Sequence, residues 1–319
     1  MDVLRDAAIL ELQRRNLDLL RQQLDVTRNR QAIGEVTATD IAQVQSRLAA
    51  ARTEVATAQA AYNTSRATFE RVIGSEPGKL VAGSPVDRFT TSTLDRAISL
   101  ARSEHPAVTA AAYGVDVALL QTKIAEGALY PMVTLEASLK RRWDVMPDQN
   151  LTFPAQSLDA SIVSRVVVPI YQGGSEYARI RQSKEASGQK RLALEAARKL
   201  ARATAVQSWS ATNAAKAQVD SAEAQVQAAE LAFRGVLQEY RAGQRGTFEI
   251  LAIQQELQNA RVALVTAQRD RVVSSYALLA AVGRLAPQVL NLPTESYDPS
   301  LHYHQVRDSW AGIRTPDGR

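Results

Sequence analysis

His105, His302 and His304 are the three histidines of a 319-residue chain that contains no cysteine. His302-Tyr303-His304 offers two imidazoles, with no third ligand in a metal-site pattern beside them. Gly173-Gly174 ahead of a helical stretch is the kind of turn that cradles a phosphate. The Lys-Ser/Thr that completes such a loop is missing, however, and a strand-to-helix turn accounts for the pair. No Gly-x-Ser-x-Gly elbow and no zinc-protease histidine pair occurs. The absence of thiols excludes disulfide frameworks, thiolate zinc and cysteine nucleophiles. The residue types therefore predict a protein that is not an enzyme and uses no cofactor or metal.

The elements that would position any site are long helices. Leu10, Gln13, Leu17, Leu20, Leu24 and Thr27 follow alternating three- and four-residue steps in a stretch from about Asp2 to Ile33. Val44, Leu48, Ala51, Val55, Ala58 and Tyr62 do the same from about Thr39 to Ile73. Val219, Ala222, Val226, Ala229, Phe233, Val236 and Tyr240 mark a third stretch, Ser175 to Arg241. Ile253, Leu257, Ala260, Leu264 and Ala267 mark a fourth, Thr247 to about Val282. Steps of three and four sum to the heptad of helices that wrap around one another. Alanine at many seam positions lets the axes approach closely. Gly34 and Gly243 interrupt the pairs as helix–turn–helix tips, since glycine readily takes the left-handed conformation that ends a helix. Thr37 or Thr39 is the expected cap of the second helix and Thr247 that of the fourth. A shorter helix is expected from about Thr93 to Gly127, and the tail beyond Pro287 reads as mostly irregular.

The chain repeats itself at an offset of 209 residues, the separation of Gly34 and Gly243. Ile41 aligns with Ile250, Gln45 with Gln254, Leu48 with Leu257, Ala51-Arg52 with Ala260-Arg261, and Gly74 with Gly283. An internal duplication is expected. The segment from about Leu94 to Ser208 has no counterpart in a first copy, so the reading is of a repeat lacking its front half, either a truncated record or a natural remnant. Met1-Asp2-Val3-Leu4-Arg5-Asp6 does not read as a signal peptide.

Between the helices the texture changes. Val133, Leu135, Ala137 and Leu139 alternate with Thr134, Glu136, Ser138 and Lys140, and a second alternating run follows from Leu158 to Ile170. Period two over this length predicts a hairpin with one apolar face. It matches the roughly 9–11 residues with which a tilted strand crosses a bilayer. Tyr130 and Tyr171 flank one end, and Trp143 and Phe153 lie near the other, as two interfacial girdles would require. The connecting loop is expected over Arg142–Ser157. A soluble hairpin packed on a helix fits the same pattern.

These pieces resemble the TolC family of outer-membrane efflux and secretion channels. The matching residues are Arg30-Gln31-Ala32-Ile33-Gly34 through Asp40-Ile41, and Tyr240-Arg241-Ala242-Gly243 through Glu249-Ile250-Leu251. Val168-Pro169-Ile170-Tyr171-Gln172-Gly173-Gly174 is similar to the family's strand-to-helix junction, and His105-Pro106-Ala107-Val108 with Ala128-Leu129-Tyr130-Pro131 to its helix leading into a strand. The resemblance implies a mainly α fold: long antiparallel coiled-coil helices forming part of an α-barrel, one β-hairpin contributing to a transmembrane β-barrel, internal duplication, and a homotrimer. The implied layout is a first helical hairpin (1–74), an equatorial connector (75–92), a helix leading into the strands (93–130), a membrane hairpin (131–170), a second long helical hairpin (173–283) and an equatorial or irregular tail (284–319). With one hairpin per chain, a trimer would supply half the strands of the family's twelve-stranded barrel.

The resemblance also implies a function and partners: the outer-membrane exit duct of a tripartite efflux pump or type I secretion system, embedded in outer-membrane lipid with its helices in the periplasm. Gly34 and Gly243 would mark tips that dock a periplasmic adaptor, itself coupled to an inner-membrane RND or ABC transporter. In the family a tyrosine and an arginine near the second tip hold an aspartate near the first. The matching positions are Tyr240, Arg245 and Asp40, with Thr39 beside the aspartate. Glu249 keeps the first acid of a charged ring at the aperture, whereas the second position is Ala252, which implies weaker cation attraction. Read without the resemblance, Asp40 and Glu249 are first-turn carboxylates stabilising helix N-termini. The alternative function is a soluble or periplasmic coiled-coil scaffold resembling an adaptor, which needs no strand hairpin. A net charge of +5 from 38 Lys+Arg and 33 Asp+Glu, scattered along the chain, predicts no nucleic-acid partner.

Overall fold

The computed structural model describes residues 1–145, 155–294 and 297–307. Helices dominate it: α1 (Asp2–Ala32), α2 (Ala38–Ile73), α3 (Leu94–Glu104), α4 (Pro106–Gly127), α5 (Ser175–Arg241), α6 (Thr247–Ala281), α7 (Pro287–Leu290) and α8 (Pro299–Arg307). A single antiparallel sheet pairs β1 (Met132–Val145) with β2 (Ala155–Val167). The chain forms two compact units, Met1–His105 with Ala201–Arg319, and Pro106–Leu200.

In the first unit α1 and α2 form an antiparallel hairpin whose expected seam is its core. Leu17, Leu20 and Leu24 pack with Val44, Leu48 and Ala51, and Leu251 of α6 closes the cluster. The second hairpin, the C-terminal part of α5 with α6, buries Ala229, Leu257 and Ala260 beneath Val226 and Phe233. Beside Leu251, polar side chains of α1 and α6 also meet. Gln254 donates to Asn16 at 3.0 Å and Gln258 to Gln13 at 3.3 Å, which satisfies side chains that would otherwise be costly to bury. A third cluster seats the connector, with Val86 among Ala97, Leu100, Leu278, Leu279 and Val282. There the Val86 amide donates to the Ser275 hydroxyl at 3.1 Å, and Asp87 pairs with Arg271.

Two expectations need correction. The helix expected over Thr93–Gly127 is two helices, because Pro106 lacks an N–H and forces the residue before it out of the helical region; His105 is extended, with φ −64° and ψ 126°. The tail read as mostly irregular holds α7 and α8, each with a proline at its first position, where the missing N–H costs nothing.

In the second unit α4 packs on the first turns of α5 through a 3.1 Å bond between the Thr122 and Ser183 hydroxyls and a 3.3 Å Lys184–Glu126 ion pair. α4 then delivers the chain to the hairpin. The register sets Val133 opposite Val166, Ala137 opposite Ile162 and Leu139 opposite Ala160 in one apolar row. Ser138 opposite Ser161 and Lys140 opposite Asp159 form the polar row. The strands run further than the alternation suggested, to Val145 and from Ala155, so the connection between them is shorter than Arg142–Ser157.

Candidate channel tips and hairpin

The two helix–turn–helix tips are built alike, as the repeat predicts. At the first, Gly34 (φ 81°) ends the α1 turn, with its amide on the Gln31 carbonyl and that of Glu35 on Arg30. At the second, Gly243 (φ 73°) does the same, with amides running to Tyr240 and Glu239. The caps match too. Thr37 is the N-cap of α2: its hydroxyl accepts the Asp40 amide, and the Asp40 carboxylate accepts the Thr37 amide at 2.9 Å. At the equivalent place in α6 the Glu249 carboxylate accepts the amide of Gly246 at 2.6 Å, so Gly246 is the N-cap and Thr247 the first helical residue. Asp40 and Glu249 are thus the acid halves of the two caps. The bonds from Thr37 hold the Asp40 carboxyl below its ordinary value, with Thr247 and the charge of Arg30 adding smaller contributions. Thr39 sits exposed in the first turn of α2.

The other expected gate residues are placed differently. Arg245 lies 2.9 Å from Glu239 and 3.9 Å from Glu249, both on its own hairpin. Tyr240 is buried, and its hydroxyl accepts from the Gln23 amide at 3.1 Å while the Arg30 guanidinium stacks over its ring at 4.9 Å. Among the described residues, Tyr240, Arg245 and Asp40 are not hydrogen-bonded to one another. Sequence reading gave Thr37 a place as a possible cap of α2 and gave no role to Gln23, Arg30 or Glu35. Thr-x-x-Asp at 37–40 was a legible capping pattern; Gln23 and Arg30 carried no comparable signal, because their partner lies more than 200 residues away.

The strand-to-helix junction follows its motif. Gly173 (φ 68°) and Gly174 (φ 80°) are both left-handed, and α5 starts at the next residue. Two successive left-handed residues are a conformation for which glycine is suited, and Pro169 precedes them in the non-helical run beyond β2. On the hairpin the apolar row lies open: Leu135 is 74% and Ile162 78% exposed. Tyr130 and Tyr171 are exposed at one end of the strands and Trp143, under the Arg141 guanidinium at 4.8 Å, at the other. Phe153 lies outside the described residues. No described helix is long and apolar enough to cross a membrane.

Long paired helices with matched tips, and a strand hairpin open on its apolar row, define the architecture of TolC-like channel proteins. Solved structures of this fold align closely. The outer membrane protein VceC of Vibrio cholerae superposes with a TM-score of 0.72 at 19% identity, covering 88% of this chain and 67% of that one. The CmeC outer membrane channel of Campylobacter jejuni does so at 0.74 and 14% identity, covering 96% and 64%. The family model for outer membrane efflux proteins matches residues 97–284. The outer membrane efflux protein BepC of Brucella suis is 38% identical over 319 residues, all of this chain and 69% of the relative. The chain belongs to the outer membrane efflux protein family of Gram-negative outer membranes, whose members are transport ducts and not enzymes.

Proposed function

We propose that this chain forms the conducting part of an outer-membrane exit duct for an efflux pump or type I secretion system, as a homotrimer gated at its helical tips. The observation that carries this reading is the hairpin, with an exposed apolar row and two unpaired edges. Unpaired strand edges in lipid are prohibitive, so the hairpin calls for neighbouring strands to close a barrel. A soluble scaffold has no use for such a surface. Residues 131–170 are then the membrane part and the segments 1–74 and 173–283 supply periplasmic helices, with 75–92 and 284–319 as an equatorial belt and 93–130 as the lead into the strands.

In this reading conduction is passive and the tips decide whether the duct is open. The turns at Gly34 and Gly243 present the docking surface for a periplasmic adaptor, which links the duct to an inner-membrane RND or ABC transporter. Asp40, Thr39, Tyr240, Arg245 and Glu249 surround the entrance. With Ala252 on the next turn, Glu249 supplies the acidic ring alone. Tyr130, Trp143, Phe153 and Tyr171 serve as interfacial aromatics, and Pro169 with Gly173 and Gly174 redirects the chain from strand to helix.

Purified full-length protein in a planar bilayer tests the reading. Discrete conductance steps, together with chemical cross-linking to a trimer in outer-membrane fractions, are expected. A soluble monomer without conductance would remove the duct function.

A further inference from the structure

We propose that Arg30 is the latch that ties the two tip hairpins together within one subunit, by clamping Tyr240 from across the hairpin boundary. The proposal rests on the gated-duct reading above and assigns the closing contact on Tyr240 to a residue outside the expected gate set of Asp40, Thr39, Arg245 and Glu249.

Each tip closes its own turn with an ion pair, but of opposite polarity. Arg30 reaches forward to Glu35 at 2.8 Å at the first tip, and Arg245 reaches back to Glu239 at 2.9 Å at the second. Arg30 and Glu239 occupy equivalent positions of the repeat, so the cation stands before the turn in one copy and after it in the other. Both partners of Arg245 lie on its own hairpin, so Arg245 stiffens the second tip without joining it to the first.

Arg30 does more. While bound to Glu35, its guanidinium lies over the ring of Tyr240 on α5. That ring is 5% exposed, and the guanidinium is held in a partly desolvated place, with its side chain 25% exposed, where cation–π attraction is stronger than at an open surface. Gln23, two turns earlier on the same face of α1, holds the Tyr240 hydroxyl at 3.1 Å. One ring of the second hairpin is therefore gripped on its face and at its hydroxyl by two side chains of the first. Glu35 fixes the guanidinium as a charge-assisted hydrogen bond does, by direction as well as by energy. The charge of Arg30 also acts on Asp40, so a single cation is felt on α1, α2 and α5. Separation of the hairpin ends cannot occur without unstacking it.

The test uses the full-length channel in planar bilayers, with wild type beside Arg30→Ala, Arg30→Lys and Tyr240→Ala. Arg30→Ala is expected to raise the open-to-closed ratio about three- to fivefold, the loss of one partly buried cation–π contact. Arg30→Lys, which keeps the charge without the planar fork, should fall between it and wild type. Gating by Arg30→Ala indistinguishable from wild type, with Tyr240→Ala open, overturns the latch and leaves the duct reading standing. A wild-type protein that never conducts removes the duct reading itself, and the latch with it.

If Arg30→Ala does not assemble, a second arm decides. These 319 residues contain no cysteine, so Arg30→Cys with Tyr240→Cys introduces one addressable pair that a short bis-thiosulfonate linker can bridge. The unbridged pair should leak, bridging should close it, and reduction should reopen it. Leakage unchanged by bridging overturns the proposal.

Discussion

The backbone of Gly283 lies directly against that of His105: a Cβ on Gly283 would fall 2.6 Å from the His105 Cα and 2.9 Å from the Glu104 carbonyl oxygen. The contact docks the end of α6 on the break between α3 and α4, and Gly283 is also left-handed, with φ +79°. Its repeat partner Gly74 has φ +86° but nothing within 4 Å. The two sites separate backbone strain from steric exclusion. Gly74→Ala should cost about 1 kcal/mol, the left-handed penalty alone. Gly283→Ala should cost on the order of 3 kcal/mol, because backbone atoms rather than a flexible side chain must move. Urea unfolding followed by helical circular dichroism measures both, and equal midpoints would show that the α6 end yields freely.

How much of this was legible follows from the kind of signal each element carries. Leu17, Leu20 and Leu24 announced their seam because apolar residues at heptad spacing have one economical arrangement. The second buried face of α6 did not announce itself. Gln254 and Gln258 are polar and pair with Asn16 and Gln13 across 238 and 245 residues, a partnership no local period encodes. The hairpin was readable because its alternation is strict, although its strands outran the pattern at Val145 and Ala155. At the tips the glycines were legible and the latch was not. Arg30 and Arg245 are indistinguishable in type, and only packing tells which one meets the other hairpin.

Ser275 is fully buried, and its hydroxyl holds the Val86 amide of the connector at 3.1 Å. Ser275→Ala removes the acceptor and leaves a buried N–H unpaired, at a cost of about 1–3 kcal/mol. The loss should be local. Amide exchange at Val86 is expected to accelerate at least tenfold, with protection in the α1–α2 hairpin unchanged. Unaltered exchange at Val86 would show that the hydroxyl does not hold the connector.

The Asp40 carboxyl titrates below its ordinary value of 3.8, chiefly because the Thr37 hydroxyl and amide hydrogen-bond to its ionised form. A carboxyl whose pKa is depressed on folding contributes stability above the unfolded value and loses it as pH falls through the folded one. The α2 cap should therefore be indifferent to pH between 7 and 5 and weaken only below about pH 4. Amide exchange in the first turn of α2, referenced to pH 7, reads this directly. Asp40→Asn should show the weakened cap at neutral pH and no further acid step. Asp2 is also depressed, by Arg269, so a local probe is required in place of global unfolding.

The two faces of the hairpin make opposite predictions about insertion. Leu135 belongs to the row with Ala137 and Leu139, while Glu136 pairs with Val163 on the other face. If the apolar row meets lipid, Leu135→Arg places a guanidinium near the bilayer midplane at about 2–4 kcal/mol per subunit. Three subunits multiply that penalty, and the protein recovered from outer-membrane fractions should fall sharply. Glu136→Lys, one residue away but facing the lumen, should insert normally and shift ion selectivity toward anions, since it reverses a charge along the conducting path. The opposite result, with Leu135→Arg inserting and Glu136→Lys excluded, would invert the assignment of faces. Normal insertion of both would mean that the hairpin does not contact lipid, and the barrel would have to be built from other strands.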